Sequence, residues 1–246
     1  MSAPLGCLIL HGFTSSLDTV RALVPMVERL ELPYRLPILR GHCTRPEDLC
    51  GVTWGDWYED AAAAMHDLRT EADQIVVCGL SMGGLVALHL AAEHPHDIAG
   101  VVTIAAALQI ADPLIHFSPI LARLVKMWKA NPGNGYADAS LVASNTNYTR
   151  IATDALVSLH RYGKVVTNIL PRVETPLLLI HSRRDRVIKP ASAEIIHQRV
   201  SSRNKRIRWF DVSGHEMLQD CEADAVVAEV EQFIRTLQVT NRSVLA

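Results

Sequence analysis

Hydrophobic residues in this chain gather into six short, nearly unbroken runs, at 5–10, 34–39, 74–78, 100–105, 176–181 and 206–212. A strand with one wet face alternates apolar and polar residues, whereas a strand covered on both faces reads as continuous, and most of these runs are continuous. Between them lie stretches with helical spacing, at 16–30, 54–71, 82–93, 191–200 and 221–237. Strand and helix in alternation predict an α/β fold: a mostly parallel sheet flanked by helices and built from right-handed crossovers.

One interval breaks the rhythm. From 106 to 173 no run reads as a strand; helices are expected at 115–129 and 151–169, separated by the loop ANPGNGYADAS. In an open parallel sheet an insertion of this length belongs over the carboxyl ends of the strands, where such folds bind ligands. The chain therefore divides into a core of 1–107 and 172–246 and a cap insertion of 108–171. Ile115, Phe117, Ile120, Leu121, Leu124, Met127 and Trp128 form an apolar stripe along the first cap helix. Such a stripe is either ordinary core or the lining of an acyl site, with Ile115, Met127 and Trp128 as substrate contacts.

Composition narrows the partners. With 24 basic and 26 acidic residues scattered among 246, there is no basic block for a phosphate backbone, so nucleic acid is not expected. No apolar run reaches the roughly 18 residues of a membrane span, and no basic residue precedes the first short apolar run, which argues against a signal peptide. Five cysteines (Cys7, Cys43, Cys50, Cys78 and Cys221) without a C-x-x-C pair suit reduced thiols in cytoplasm. Ligand spacing for a metal is missing, and His94-Pro95-His96 reads as a turn after a helix.

The chemistry starts at VVCGLSMGGLVAL, residues 76–88, where Gly79-Leu80-Ser81-Met82-Gly83 joins a strand to a helix. G-x-S-x-G in that context is a sharp turn that lifts the Ser81 hydroxyl clear of the sheet. A serine needs a base and a group to orient that base. His215 follows the last strand run, and Asp185 follows the run at 176–181, so all three stand at carboxyl ends of strands, in the order Ser, Asp, His. Asp211, Asp220 and Asp224 compete with Asp185 for the acid, but Asp211 lies in the last strand run and the other two follow the histidine. The His11-Gly12-Phe13 turn after the first strand would bring the Phe13 N–H near Ser81, and the Met82 N–H supplies a second oxyanion donor. His11 itself is read as structural, its ring bonding back to loop backbone; His42, in Arg40-Gly41-His42, shapes the neighbouring loop.

With HGFTSS, LRGHCTRPEDL, GLSMGG, RRDRVI and SGHEM in place, the chain resembles the bacterial carboxylesterase and monoacylglycerol lipase group of the α/β-hydrolase family over most of its length. The resemblance implies a triad of Ser81, Asp185 and His215, oxyanion donors at Phe13 and Met82, a small-molecule ester or lipid substrate, and no cofactor. Two departures stand out. Ser182 replaces a glycine common three residues before the acid, and the segment ahead of LGCLILHGF is too short for the family's first antiparallel strands, which predicts a reduced sheet of about six strands. The implied activity is cleavage of carboxylic esters of short to medium acyl chains, or monoacylglycerols, through an acyl-enzyme. Amide, thioester or carbon–carbon bond hydrolysis uses the same residues, and a non-catalytic ligand-binding scaffold is the alternative of another class.

Overall fold

The computed structural model describes residues 5–244; residues 1–4, on which the leader reading partly rests, lie outside them. The elements run β1 (Leu5–Leu10), α1 (Val24–Arg29), β2 (Tyr34–Arg35), α2 (Trp54–Leu68), β3 (Gln74–Leu80), α3 (Met82–Glu93), β4 (Ile98–Ile104), α4 (Ser118–Leu124), β5 (Met127–Lys129), β6 (Arg150–Ala152), α5 (Thr153–Ile169), β7 (Leu177–Ser182), α6 (Ala191–Arg199), β8 (Lys205–Phe210) and α7 (Ala223–Val244). Six strands form one sheet in the order β2-β1-β3-β4-β7-β8, and every pairing in it is parallel. A parallel sheet flanked by helices is what the strand and helix runs predict, and its six strands match the number expected.

The continuous apolar runs are explained by coverage on both sides. Along β1, Leu8 and Leu10 join one core, with Trp57 of α2, Leu85 of α3 and Tyr162 of α5. Cys7 and Ile9 point the other way, into a second core with Met26 of α1 and Val230 and Ile234 of α7. The helices are amphipathic to match: α7 buries Val226, Val230, Phe233, Ile234 and Leu237, a spacing of three and four residues. A capping box between Thr53 and Asp56 starts α2.

Several expected elements are shorter or broken. Only Tyr34–Arg35 of the run at 34–39 pairs, through Cys7 and Leu8. The helix expected at 16–30 becomes two 3-10 turns followed by α1, whose opening Pro25 lacks the N–H needed to continue an earlier turn. The helix expected at 115–129 is likewise divided, because Pro119 restarts the chain as the seven-residue α4 after a 3-10 turn at Pro113–Phe117. Beyond α4 the chain is extended. Met127–Lys129 pairs antiparallel with Arg150–Ala152, so the interval read as strand-free holds a two-stranded ribbon.

The interval is also less uniform than a single cap. Ala155, Leu159, Tyr162 and Val166 of α5 belong to the same core as α2 and α3. Its first half is different: Phe117, Ile120 and Leu124 are 58%, 62% and 80% exposed, so the stripe on α4 turns outward for much of its length. No described helix is long and apolar enough to cross a membrane.

Candidate active site

Ser81 sits between the last residue of β3, in the middle of the sheet, and the first of α3. Its backbone has φ 54° and ψ −113°, a conformation an L-residue adopts only under constraint. The constraint is visible. Ser81 N–H donates to Ile104 O at 2.8 Å, and its carbonyl accepts from Gly84 at 3.0 Å and Ala107 at 3.1 Å. The glycines make the turn possible because a Cβ on Gly79 would overlap the Gly83 carbonyl and one on Gly83 would overlap the Leu10 carbonyl. The Ser81 hydroxyl makes no capping bond to α3. A serine serving only as an N-cap would make one. Thr14 and Ala105, with φ of 61° and 50°, add further positive-φ positions, at the loop after β1 and the end of β4.

The base and its partner follow from two neighbouring strands. His215 Nδ1–H donates to Asp185 Oδ2 at 2.8 Å, with both side chains buried. Asp185 Oδ1 accepts from the backbone N–H groups of Val187 and Ile188 at 2.8 and 2.9 Å, which fixes the carboxylate plane. His181, at the end of β7, places Nε2 3.2 Å from the same Oδ2, a contact that sequence reading did not anticipate. Burial by itself would raise the Asp185 carboxyl, but the two histidines outweigh it and hold it below the ordinary carboxylate range. For His215 the balance is reversed: burial alone would lower it, and Asp185 outweighs burial, so the imidazole titrates above an ordinary histidine.

Three side chains lace the loop that carries His215. Ser182 Oγ–H donates to Ser213 O, so the serine in place of glycine ties the acid turn directly to the histidine loop. Glu222 accepts from the N–H groups of Val212 and Ser213 at 3.0 and 2.8 Å. Asp220 accepts from Gly214 at 2.6 Å and from Ala137 at 2.7 Å, and thereby joins the histidine loop to the interval above it. Asp220 is thus a brace, Asp211 pairs on the surface with Arg183 at 3.3 Å, and Asp224 is exposed.

The turn after β1 is equally braced. A Cβ on Gly12 would meet Ser81 Cβ at 3.2 Å, which sets the His11-Gly12-Phe13 backbone against the nucleophile. Leu39 N–H donates to His11 Nε2 at 3.1 Å, and Thr14 N–H donates to His42 Nε2 at 3.1 Å. An imidazole nitrogen that accepts must be unprotonated. Burial accordingly lowers His11 to about 4 and His42 to about 3. Met82 opens α3, and its N–H is one of those a helix start leaves without an intrahelical acceptor.

Ser81, Phe13 and His215 all line one cavity of about 310 Å³. Much of its wall is apolar: Ile110, Leu114, Ile115, Leu121, Trp128 and Leu159 among others. Ile115 and Trp128 line it, as the stripe suggested. Met127 does not; alternate residues of a strand face opposite ways, and Met127 Sδ lies against Cys50 Sγ at 3.9 Å instead. Asn131, Asn134, Asn147 and Glu216 contribute a polar section that the sequence reading missed.

Comparison with known proteins gives a consistent neighbourhood. A family model described as "Serine aminopeptidase, S33" matches residues 5–222. The chain is 30% identical to a thermostable monoacylglycerol lipase of Bacillus sp. (strain H-257) over 94% of this chain and 91% of the relative. It is 28% identical to a carboxylesterase of Bacillus subtilis (strain 168), over 94% and 92% of the two chains. A solved structure from work on the metagenome-derived lipolytic enzymes LipS and LipT superposes with a TM-score of 0.89 at 29% identity, covering 96% of this chain and 95% of that one.

Proposed function

Because the chain belongs to the serine hydrolase family described as serine aminopeptidase S33, we propose that Ser81, His215 and Asp185 hydrolyse carboxylic esters of short to medium acyl chains or monoacylglycerols. The observation that carries this reading is the convergence on one largely apolar cavity of a strained serine whose hydroxyl does not cap its helix and a 2.8 Å histidine–carboxylate pair. Relatives named for monoacylglycerol lipase and carboxylesterase activity, each aligned over nine-tenths of both chains, support the ester among the acyl substrates.

In this mechanism neutral His215 takes the Ser81 proton as its oxygen attacks the ester carbonyl. Asp185 holds the imidazole in the tautomer whose Nε2 accepts, and it stabilises the imidazolium that results. The N–H groups of Phe13 and Met82 receive the oxyanion. His215 then gives its proton to the departing alcohol oxygen, leaving an acyl-Ser81, and water repeats the sequence to release the acid. The first half of the interval acts as a cap whose Ile115, Leu121 and Trp128 shelter the acyl chain. Unpaired cysteines fit a reducing cytoplasmic setting.

The test is a panel of p-nitrophenyl esters from acetyl to dodecanoyl, run beside fluorophosphonate labelling. Saturable hydrolysis together with labelling at Ser81 is expected; no hydrolysis at any chain length and no labelling would sink the proposal.

A further inference from the structure

The turn that carries Phe13 does not hold its shape unaided. Thr14, the next residue, has φ 61°, a left-handed conformation that is an outlier for a β-branched side chain. The bond that closes the turn, from Ser15 N–H to Gly12 O, is 3.4 Å long, beyond the roughly 2.7–3.2 Å usual for such bonds. Two bonds from outside the turn compensate. Thr14 N–H donates to His42 Nε2 at 3.1 Å, and the Thr14 carbonyl accepts from Tyr148 N–H at 2.9 Å.

Tyr148 touches every part of this brace. Its ring lies parallel to that of His42, with 6.5 Å between centroids and 8° between planes. Its hydroxyl accepts from Thr44 N–H at 3.0 Å and donates to Gly41 O at 3.2 Å, which ties it to the loop that carries His42. The two residues before it reach further: Thr146 Oγ1 lies 2.6 Å from Ser16 Oγ, and Asn147 Nδ2–H donates to Glu216 Oε1 at 2.6 Å, beside His215. Residues 146–148 thus form a strap bonded to the Phe13 turn on one side and to the histidine loop on the other. Past the strap the chain runs into β6, whose Ile151 lines the cavity with Trp128 of β5.

We propose that Tyr148 is a positioning residue, which holds the strained turn at Thr14 in the shape that aims the Phe13 N–H at the oxyanion. The proposal rests on the ester-hydrolase reading and adds to it a residue that the catalytic steps do not name. Tyr148 lies outside α4, β5 and β6, and its bonds run to the sheet side of the cavity, so its contribution is to rate. The oxyanion exists only after Ser81 has attacked, and a donor aimed at it stabilises the transition state more than the bound ester. Loss of that aim lowers kcat and leaves KM in place.

The experiment measures kcat and KM for p-nitrophenyl octanoate in the full chain, together with inhibition by octyl trifluoromethyl ketone and by the corresponding secondary alcohol. With the ketone, Ser81 oxygen adds to the carbonyl carbon, the serine proton passes to His215, and the carbonyl oxygen becomes the oxyanion, so its affinity reports the donors. The alcohol cannot be attacked and reports cavity fit alone. Removing an oxyanion donor outright costs about 10²- to 10³-fold, so misaiming one in Tyr148→Ala should lower kcat and ketone affinity together by about 10- to 30-fold, with KM and alcohol affinity within about threefold. Tyr148→Phe keeps the ring and loses only the two hydroxyl bonds, and should fall between wild type and Tyr148→Ala. Thr146 is exposed and does not line the cavity, so Thr146→Val, with a loss of about threefold in kcat, tests the strap even where Tyr148→Ala fails to fold. Ketone and alcohol weakened alike, or KM raised with kcat unchanged, would make Tyr148 cavity wall only. A lower melting temperature with kcat and ketone affinity intact would make it packing only, and either result overturns the proposal. A wild type that neither hydrolyses the ester nor binds the ketone sinks the ester-hydrolase reading, and the positioning role with it.

Discussion

The two walls of the cavity are built on different principles. On the sheet side, Ser81, Asp185 and His215 stand on turns whose backbone is tied at almost every residue, by Ile104, Ala107, Ser182, Asp220 and Glu222. On the cap side, α4 has seven residues, β5 and β6 have three each, and Leu124 is 80% exposed. Reaction geometry needs placement to within a fraction of an ångström, which only a cross-braced backbone provides. Acyl-chain preference needs only a surface of suitable depth, and side chains on short elements can supply that. Substitutions on the sheet side should therefore change rate, and those on the cap side should change which substrate is preferred.

The strongest trial of this division is Ser81→Ala, expected to lose about 10⁴-fold or more in turnover and all fluorophosphonate labelling. A cap variant with a loss of that size would break the distinction. Asp185→Asn comes next, at roughly 10³- to 10⁴-fold, with a cooperative melt preserved because the change alters tautomer and charge rather than volume. The pH profile sharpens this assignment. Protonated His215 cannot accept the serine proton, so activity should fall as pH drops, with a midpoint above the ordinary histidine value of about 6.5 because Asp185 raises it. Asp185→Asn should move that midpoint down. His11 and His42, lowered to about 4 and 3, stay neutral through the range and do not contribute to that limb.

Smaller effects separate the walls further. Asp220→Asn removes the charge that receives N–H groups from both the histidine loop and the cap, so it should cost about 10- to 100-fold in kcat and lower the melting temperature together. A loss as severe as that of Asp185→Asn would reassign the acid. Trp128→Ala should shift the acyl optimum toward longer esters, by up to about fourfold in kcat/KM per added methylene at ~0.8 kcal/mol each, and leave acetyl ester hydrolysis nearly constant. Met127→Ala, on the opposite face of β5, should leave the octanoyl-to-acetyl ratio where it is. A ratio that moves equally for both would show that the strand's facing is not what sets preference.

What could be read from sequence follows the same line. The sheet, the serine turn and the histidine–aspartate pair were legible because continuous apolar runs and fixed glycine spacing are local signals of buried strands and tight turns. The α4–β5 region was misread because its stripe has helical spacing but Pro119 divides it, and a three-residue strand has no period to detect; only its partner Arg150–Ala152 orders it. Met127 was placed on the wrong wall for that reason. Glu216, Asn147 and His181 left no local mark, and Asp220 stood out only as a rival for the acid. Their roles come from contacts such as Asn147 to Glu216, 69 residues apart, or from a shared carboxylate oxygen, as with His181 and Asp185.

The left-handed backbone at Ser81 also has a thermodynamic consequence apart from catalysis. Holding a residue with a side chain at φ 54° and ψ −113° costs on the order of 1–3 kcal/mol, and glycine alone escapes most of that cost. Replacing the nucleophile by Ser81→Gly should therefore yield an inert protein that melts a few degrees higher than the active one, whereas Ser81→Ala should be inert with no such gain. Heat resistance and turnover would then be antagonists at one torsion angle, and a search for hardier versions of this chain that scored only survival on heating would be drawn toward destroying its reaction.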